Sequence, residues 1–198
     1  MIAEDKFWKS QGEKHLHPSN DNIWLPGESP GEIIYRMTSE VDYRTELGCG
    51  AGRLCTAFEP DIYQGLDVNP TVIKLARENN PNYSFREIPY IGEYPKTESM
   101  FAHTVLVHVS DEVLPVIVSQ MTDAAPIIVV SEVLGREWRR AGNPPVFNRE
   151  LEDYVTVFDK HGFQLHENFQ TPVERYRKSG KKFQMHYMKF KKRKATNE

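Results

Sequence analysis

The stretch Tyr43-Arg-Thr-Glu-Leu-Gly-Cys-Gly-Ala-Gly-Arg53 organises the rest of the chain. A short strand ending at Glu46 and Leu47 is expected to run into three glycines one residue apart, Gly48, Gly50 and Gly52. The turn is then expected to feed a helix beginning near Gly52 or Arg53. Glycine accepts positive φ and lets a ligand come close to the backbone, and the free N–H groups of a helix start favour an anionic group. The dinucleotide fingerprint places its third glycine one position later, where this chain carries the bulky Arg53. Glu46, just ahead of the loop, would repel a pyrophosphate and welcome a ligand with a positive group.

A second strand, Ile62 to Val68, follows and ends in Gly-Leu-Asp-Val-Asn, which puts Asp67 at the carboxyl end of the neighbouring strand. A carboxylate there can accept hydrogen bonds from both hydroxyls of a ribose. Upstream, Ser29-Pro-Gly-Glu32 reads as a capped helix start, with Ile33, Ile34 and Met37 on its apolar face. Downstream, Asn69-Pro70 opens another helix that Asn79-Asn80-Pro81 ends. Tyr83 to Ile88 is a third strand and the apolar run Met100 to Val107 a central one. Pro126 to Val130 is a fifth. Asn148 is expected to cap a helix carrying Leu151, Tyr154, Val155 and Phe158, with His161-Gly162 closing it. Phe163 to Phe169 and Phe183 to Phe190 read as a final antiparallel pair joined by a turn at Ser179-Gly180. Strands alternating with helices imply right-handed crossovers and a mostly parallel sheet.

At 198 residues, with 39% hydrophobic and 27% charged residues, the chain reads as one globular domain with a substantial core. A net charge of −3 exerts no global pull toward nucleic acid or membrane. The charge is uneven, with ten Lys/Arg against two Glu from Gln170 to Glu198. Cys49 and Cys55 do not form a disulfide framework, which points to a reducing compartment. Cys49 gains some thiolate character if it sits near a helix start, but a small side chain filling a tight turn is the simpler reading. The start Met1-Ile-Ala-Glu-Asp-Lys has no secretory pattern and no stretch has the length of a membrane span, so the cytoplasm is the expected location.

Three segments together resemble successive motifs of the class I S-adenosylmethionine-dependent methyltransferases: Glu-Leu-Gly-Cys-Gly-Ala-Gly-Arg at 46–53, Gly-Leu-Asp-Val-Asn at 65–69 and Val-Leu-Val-His-Val-Ser-Asp at 105–111. The last is typical of the small-molecule branch. The similarity runs from about Glu32 to Phe190 in the family's order. It implies a Rossmann-like α/β fold: a seven-stranded, mostly parallel sheet with an antiparallel last strand and helices on both faces. It also implies that S-adenosylmethionine is bound, with S-adenosylhomocysteine as product. The glycine loop would back the methionine portion and Asp67 would hold the ribose, so the implied cofactor set is Glu46, Gly48, Cys49, Gly50, Gly52, Asp67, Val68, Ile88 and Thr104. The acidic residue common at the start of the fourth strand corresponds to Glu98. A basic residue in the region of Arg36 can meet the cofactor's carboxylate in related enzymes, although a surface arginine is an equal reading.

The expected organisation is an N-terminal arm or lid over residues 1–28, the methyltransferase domain over 29–190 and a basic tail over 191–198. Phe7, Trp8 and Trp24 give the arm aromatic groups with which to dock. His15 and His17 lack the further Cys or His ligands of a zinc set, so no metal is expected. A hydroxyl acceptor needs a base, and His108, after the fourth strand, is the first candidate. His103, Glu132 and Tyr90 are weaker ones. An amine acceptor would need none. Between the fifth strand and its helix, Arg136, Trp138, Arg139 and Arg140 lie in a long connection suited to substrate selection. They would clamp an anionic group of the acceptor, or form a solvated charge run. Asn143-Pro144-Pro145-Val146 imitates an amino-methyltransferase motif but follows the wrong strand and reads as a loop breaker. The expected activity is methylation of a small molecule at oxygen or nitrogen by a monomer or homodimer. RNA or protein methylation and a non-catalytic cofactor-binding subunit remain alternatives, and a nicotinamide oxidoreductase is a distant one.

Overall fold

The computed structural model describes residues 3–11, 28–137, 145–172 and 184–194. Seven strands form one sheet in the order β3-β2-β1-β4-β5-β7-β6. They are β1 (Arg44–Leu47), β2 (Tyr63–Asp67), β3 (Ser84–Glu87), β4 (Ser99–His103), β5 (Ile127–Val133), β6 (Phe163–Pro172) and β7 (Gln184–Lys192). β1 pairs in parallel with both β2 and β4, whereas β7 runs antiparallel to β5 and to β6. Strand order reverses beside β1, so the carboxyl ends of β1, β2 and β4 open onto the crevice where α/β sheets bind ligands. The expected fold class is borne out, antiparallel strand included.

Among the described residues, five α-helices accompany the sheet: α1 (Ala3–Ser10), α2 (Pro30–Met37), α3 (Pro70–Asn79), α4 (Leu114–Ala124) and α5 (Leu151–Asp159). α2 begins where the sequence places it. Ser29 Oγ accepts from Glu32 N–H at 3.2 Å, and Glu32 reaches back to Ser29 N–H at 2.6 Å. Such a cap is worth about 1 kcal/mol. Alternation along the strands divides the core. One side packs Leu47, Leu66, Met100, Ile128 and Phe190 against α4 and α5; the other packs Tyr63, Phe85, Phe101 and Val129 against α2 and α3.

Local structure departs from the sequence reading in three places. No α-helix follows the glycine loop; Gly52 N–H bonds Cys49 O and Cys55 N–H bonds Gly52 O, tight three-residue steps that lead into a 3-10 turn, Cys55–Ala57. Pro60 opens a second such turn five residues after Cys55 begins the first, leaving little chain for a longer helix. β4 stops at His103 rather than Val107, because Thr104 turns to φ 57° and residues Leu106–His108 coil into a 3-10 turn. Glu150, not Asn148, caps α5 together with Asp153, while Asn148 Nδ2 donates to Arg136 O. Glu98 stands just ahead of β4, at the start of the fourth strand as expected and at the opposite pole from the crevice, where its Oε2 accepts the N–H groups of Asp42 and Tyr43 at 2.7 and 2.8 Å.

Candidate active site

The glycine loop is held across the ends of β1 and β2. Gly48 and Cys49 N–H both donate to Leu66 O, at 2.7 and 3.0 Å. Gly48 has φ 73°, and a Cβ there would lie 2.5 Å from Cγ2 of Val105, so only glycine fits between the loop and the chain leaving β4. Asp67 fastens the loop from the other side. Its Oδ2 accepts Gly50 N–H and its Oδ1 accepts Asn69 N–H, both at 2.9 Å. Burial raises the Asp67 pKa, and these two N–H groups oppose that shift. Each oxygen keeps a second acceptor direction for a sugar hydroxyl.

Beneath the loop, Glu46 is only 3% exposed and accepts the Tyr63 hydroxyl on Oε2 at 2.5 Å. Burial pushes its carboxyl up to about 7, with the Tyr63 hydrogen bond and the Arg53 guanidinium pulling the other way and Asp67 adding to the rise. Cys49 is buried in the same place, and its thiol is raised well above the usual range by burial and by the Glu46 and Asp67 charges. It is an inert space-filler, and the thiolate character considered from sequence is not there. His103 points into this core, its Nδ1 2.9 Å from Ser131 Oγ. Burial, with Arg53 adding, depresses it to about 3, so it stays neutral and makes a poor base.

On the far rim, the turn after β4 is built from outside itself. Thr104, the one described non-glycine residue with positive φ, donates its N–H to Ser131 O at 2.8 Å. Strained backbone of this kind concentrates at functional sites. His108 Nδ1 lies 2.5 Å from Pro145 O, so Nδ1 carries the proton and Nε2 has acceptor character in the neutral ring. Phe147 N–H donates to Val107 O. Arg149 donates to Leu106 O, Val109 O and Asp111 Oδ1, at 2.7, 2.6 and 2.7 Å. Glu132 sits under the turn, 1% exposed, and accepts Val107 N–H at 3.2 Å. Burial lifts its carboxyl to about 8 against the turn's N–H groups and Arg149.

Helix α1 bridges the two rims. Asn69, whose Oδ1 caps α3 through Thr71 N–H, donates Nδ2 to Trp8 O and Gln11 O at 2.9 and 2.5 Å. At the other end Glu4 Oε1 accepts Ser110 N–H at 3.2 Å. The Trp8 ring meets His108 edge-on, with centroids 5.0 Å apart. Tyr90, after β3, is buried, and its hydroxyl has no hydrogen-bond partner among the described residues.

Most of the expected cofactor set lies together: Glu46, Gly48, Cys49, Gly50, Gly52, Asp67 and Val68 form or adjoin the loop, Ile88 N–H bonds Asp67 O, and Thr104 follows the end of β4, next to the Val105 that packs on Gly48. Arg36 does not join them, since it pairs with Glu28 at 3.1 Å and lies over Phe169. Residues His15, His17, Trp24, Trp138 to Pro144 and the Ser179-Gly180 turn lie outside the described residues. Among the described residues no group of three or more His, Cys, Asp or Glu side chains has a metal-binding arrangement. Sequence reasoning passed over Tyr63 and Arg149, and read Asn69 only as a helix start within its motif. Tyr63 was open to discovery, because its parallel partner Arg44 is two residues from Glu46 and so shares its face. Arg149 was not, since only the folded path of 145–150 brings it to the turn.

No family model and no curated protein matches the chain. Solved structures do. A magnesium protoporphyrin IX methyltransferase from Synechocystis PCC 6803, with bound S-adenosylmethionine, aligns at TM-score 0.68 and 12% identity over 98% of this chain and 99% of that one. The chain has the fold of the class I S-adenosylmethionine-dependent methyltransferases. A second methyltransferase of this fold, from Methanosarcina mazei, aligns at TM-score 0.66 and 14% identity over 83% of this chain and 98% of that one. The mitomycin 7-O-methyltransferase MmcR aligns at TM-score 0.58 and 16% identity, over 82% of this chain and 52% of its own.

Proposed function

We propose that the protein is an enzyme that binds S-adenosylmethionine in the crevice at the ends of β1, β2 and β4 and methylates an oxygen or nitrogen of a small molecule in the cytoplasm. The observation that carries this reading is the convergence of Glu46, the glycine loop and Asp67 on adjacent strand ends, with the two acids flanking backbone that no side chain could occupy. These residues fit the cofactor. Asp67 can take the ribose hydroxyls, and Glu46 and Arg53 present opposite charges for the ammonium and carboxylate of the methionine portion. When bound, the cofactor supplies a methyl group on a sulfonium, a leaving group that needs no further activation.

The chain's own task is orientation, which can be worth about 7–11 kcal/mol of barrier. Where the acceptor is a hydroxyl, His108 receives its proton on Nε2 while Pro145 O holds the ring by Nδ1. Helix α1, tied to Asn69 and Ser110, serves as the lid. The small-molecule reading draws on the names of two structures of the same fold, whose acceptors are a porphyrin and mitomycin. The RNA alternative is weakened, because three of the basic groups near the C-terminus already lie against carboxylates: Lys189 and Lys191 share Glu40, and Arg193 meets Asp159.

Titration calorimetry with S-adenosylmethionine, S-adenosylhomocysteine and NAD tests the ligand class. Binding of the first two but not the third is expected, and NAD binding alone would overturn the reading. A labelled-methyl screen against metabolite, RNA and peptide pools then identifies the acceptor class, with incorporation into metabolites expected.

A further inference from the structure

We propose that Tyr63 is a positioning residue that presents Glu46 to the cofactor's ammonium and makes cofactor capture depend on the charge of Glu46. The inference rests on the functional reading above and adds to it a residue outside the motifs.

Tyr63 begins β2, at the pole away from the crevice, and its side chain runs along the sheet to reach Glu46. Gly65, level with Glu46 on the paired strand, leaves room beside this pair for Phe85 and Cys49; a Cβ there would lie 2.6 Å from Phe85 and 2.9 Å from Cys49. The ring cannot swing away. It stacks on Phe58 at 5.4 Å, meets Phe85 and Tyr83 edge-on at 6.1 and 5.9 Å, and is itself fully buried. The hydroxyl therefore has one place to donate. It fixes Oε2, while Oε1 takes no hydrogen bond from the described residues. A carboxylate with one oxygen tethered and the other available is pre-organised for a single cation.

The surroundings set when that carboxylate is charged. Arg53 and Cys49 face Glu46 from the glycine loop, Cys55 from the following turn, Asp67 from the end of β2 and His103, coupled through Arg53, from β4. Helix α2 contributes only Ile33, Ile34 and Met37 to this core. Burial outweighs the favourable partners, so Glu46 titrates near neutrality, at about 7. Protonated Glu46 cannot pair with an ammonium. Affinity then follows the ionised fraction, falling about tenfold from pH 8.5 to pH 6. Loss of the Tyr63 hydrogen bond removes an interaction that favours the charged form and moves the midpoint up by about one pH unit.

The test measures binding of S-adenosylhomocysteine and of 5′-methylthioadenosine, which lacks the amino-acid portion, from pH 6 to pH 8.5 in wild type and Tyr63→Phe. Tyr63→Phe keeps the stacked ring, and its thermal unfolding confirms the fold. S-adenosylhomocysteine is expected to weaken about tenfold in wild type at pH 6. Tyr63→Phe should bind it about fivefold more weakly than wild type at pH 7 and recover most of the loss by pH 8.5. Methylthioadenosine should bind both proteins alike at every pH. Flat affinity for S-adenosylhomocysteine, or a parallel loss for methylthioadenosine, overturns the proposal and leaves the cofactor assignment standing. Absence of binding by either compound at any pH overturns the functional reading and the proposal together.

Discussion

Replacing Glu132 by glutamine should stabilise the protein at neutral and alkaline pH while changing little in acid. Glu132 is buried under the turn after β4, accepts Val107 N–H, and holds its proton up to about pH 8 against an ordinary value of 4.5. Between those values the native state binds more protons than the unfolded chain, so stability falls as pH rises through that window. The slope approaches about 1.4 kcal/mol per pH unit while the native carboxyl stays protonated and the unfolded one does not. At pH 7 the accumulated cost is roughly 3 kcal/mol, a large part of a typical domain's stability. Glutamine keeps the carbonyl acceptor for Val107 N–H and does not ionise. Urea unfolding of both proteins at pH 5, 7 and 8.5 should give curves that separate progressively, with the variant's advantage growing by roughly 4 kcal/mol across the range. Curves that remain parallel would show that Glu132 is not held neutral by burial, and the electrostatic account of the turn would fail with them.

Two further outcomes follow from the geometry. Gly48→Ala, which sets a methyl group 2.5 Å from Val105 at φ 73°, should cost about 1–3 kcal/mol of stability and weaken S-adenosylhomocysteine binding in calorimetry. Normal affinity would mean that the ligand does not approach the loop. His108→Ala should slow transfer to a hydroxyl acceptor by about 10²–10⁴-fold in single-turnover assays, with cofactor affinity retained. An unchanged rate would assign His108 to packing against Trp8.

The architecture was legible because its signals are local and periodic. The glycine spacing, the acid ending β2 and the apolar β4 each mark a strand end, and β1 begins at Arg44, one residue inside the quoted stretch. What escaped was determined by contacts between distant segments. The loop after Gly52 looks like a helix start, yet its chain is used up by a 3-10 turn before Pro60 opens another. Thr104 gives no hint of its positive φ, because its surroundings come from distant segments: its N–H is tied to Ser131 O and the next residue, Val105, packs on Gly48. Arg149 reads as an ordinary surface arginine until its 2% exposure and three acceptors in the 106–111 turn are seen.

Helix α1 also bears on how the molecule can be handled. Glu4 touches Ser110 and Trp8 touches His108, so any polypeptide joined ahead of Ala3 leaves the molecule beside the crevice. Strand β7 travels the opposite way, and Lys191 pairs with Ile127 at the beginning of β5. A purification handle or fluorophore attached beyond Lys194 departs from the other pole, which makes that end the attachment point least disturbing to ligand exchange.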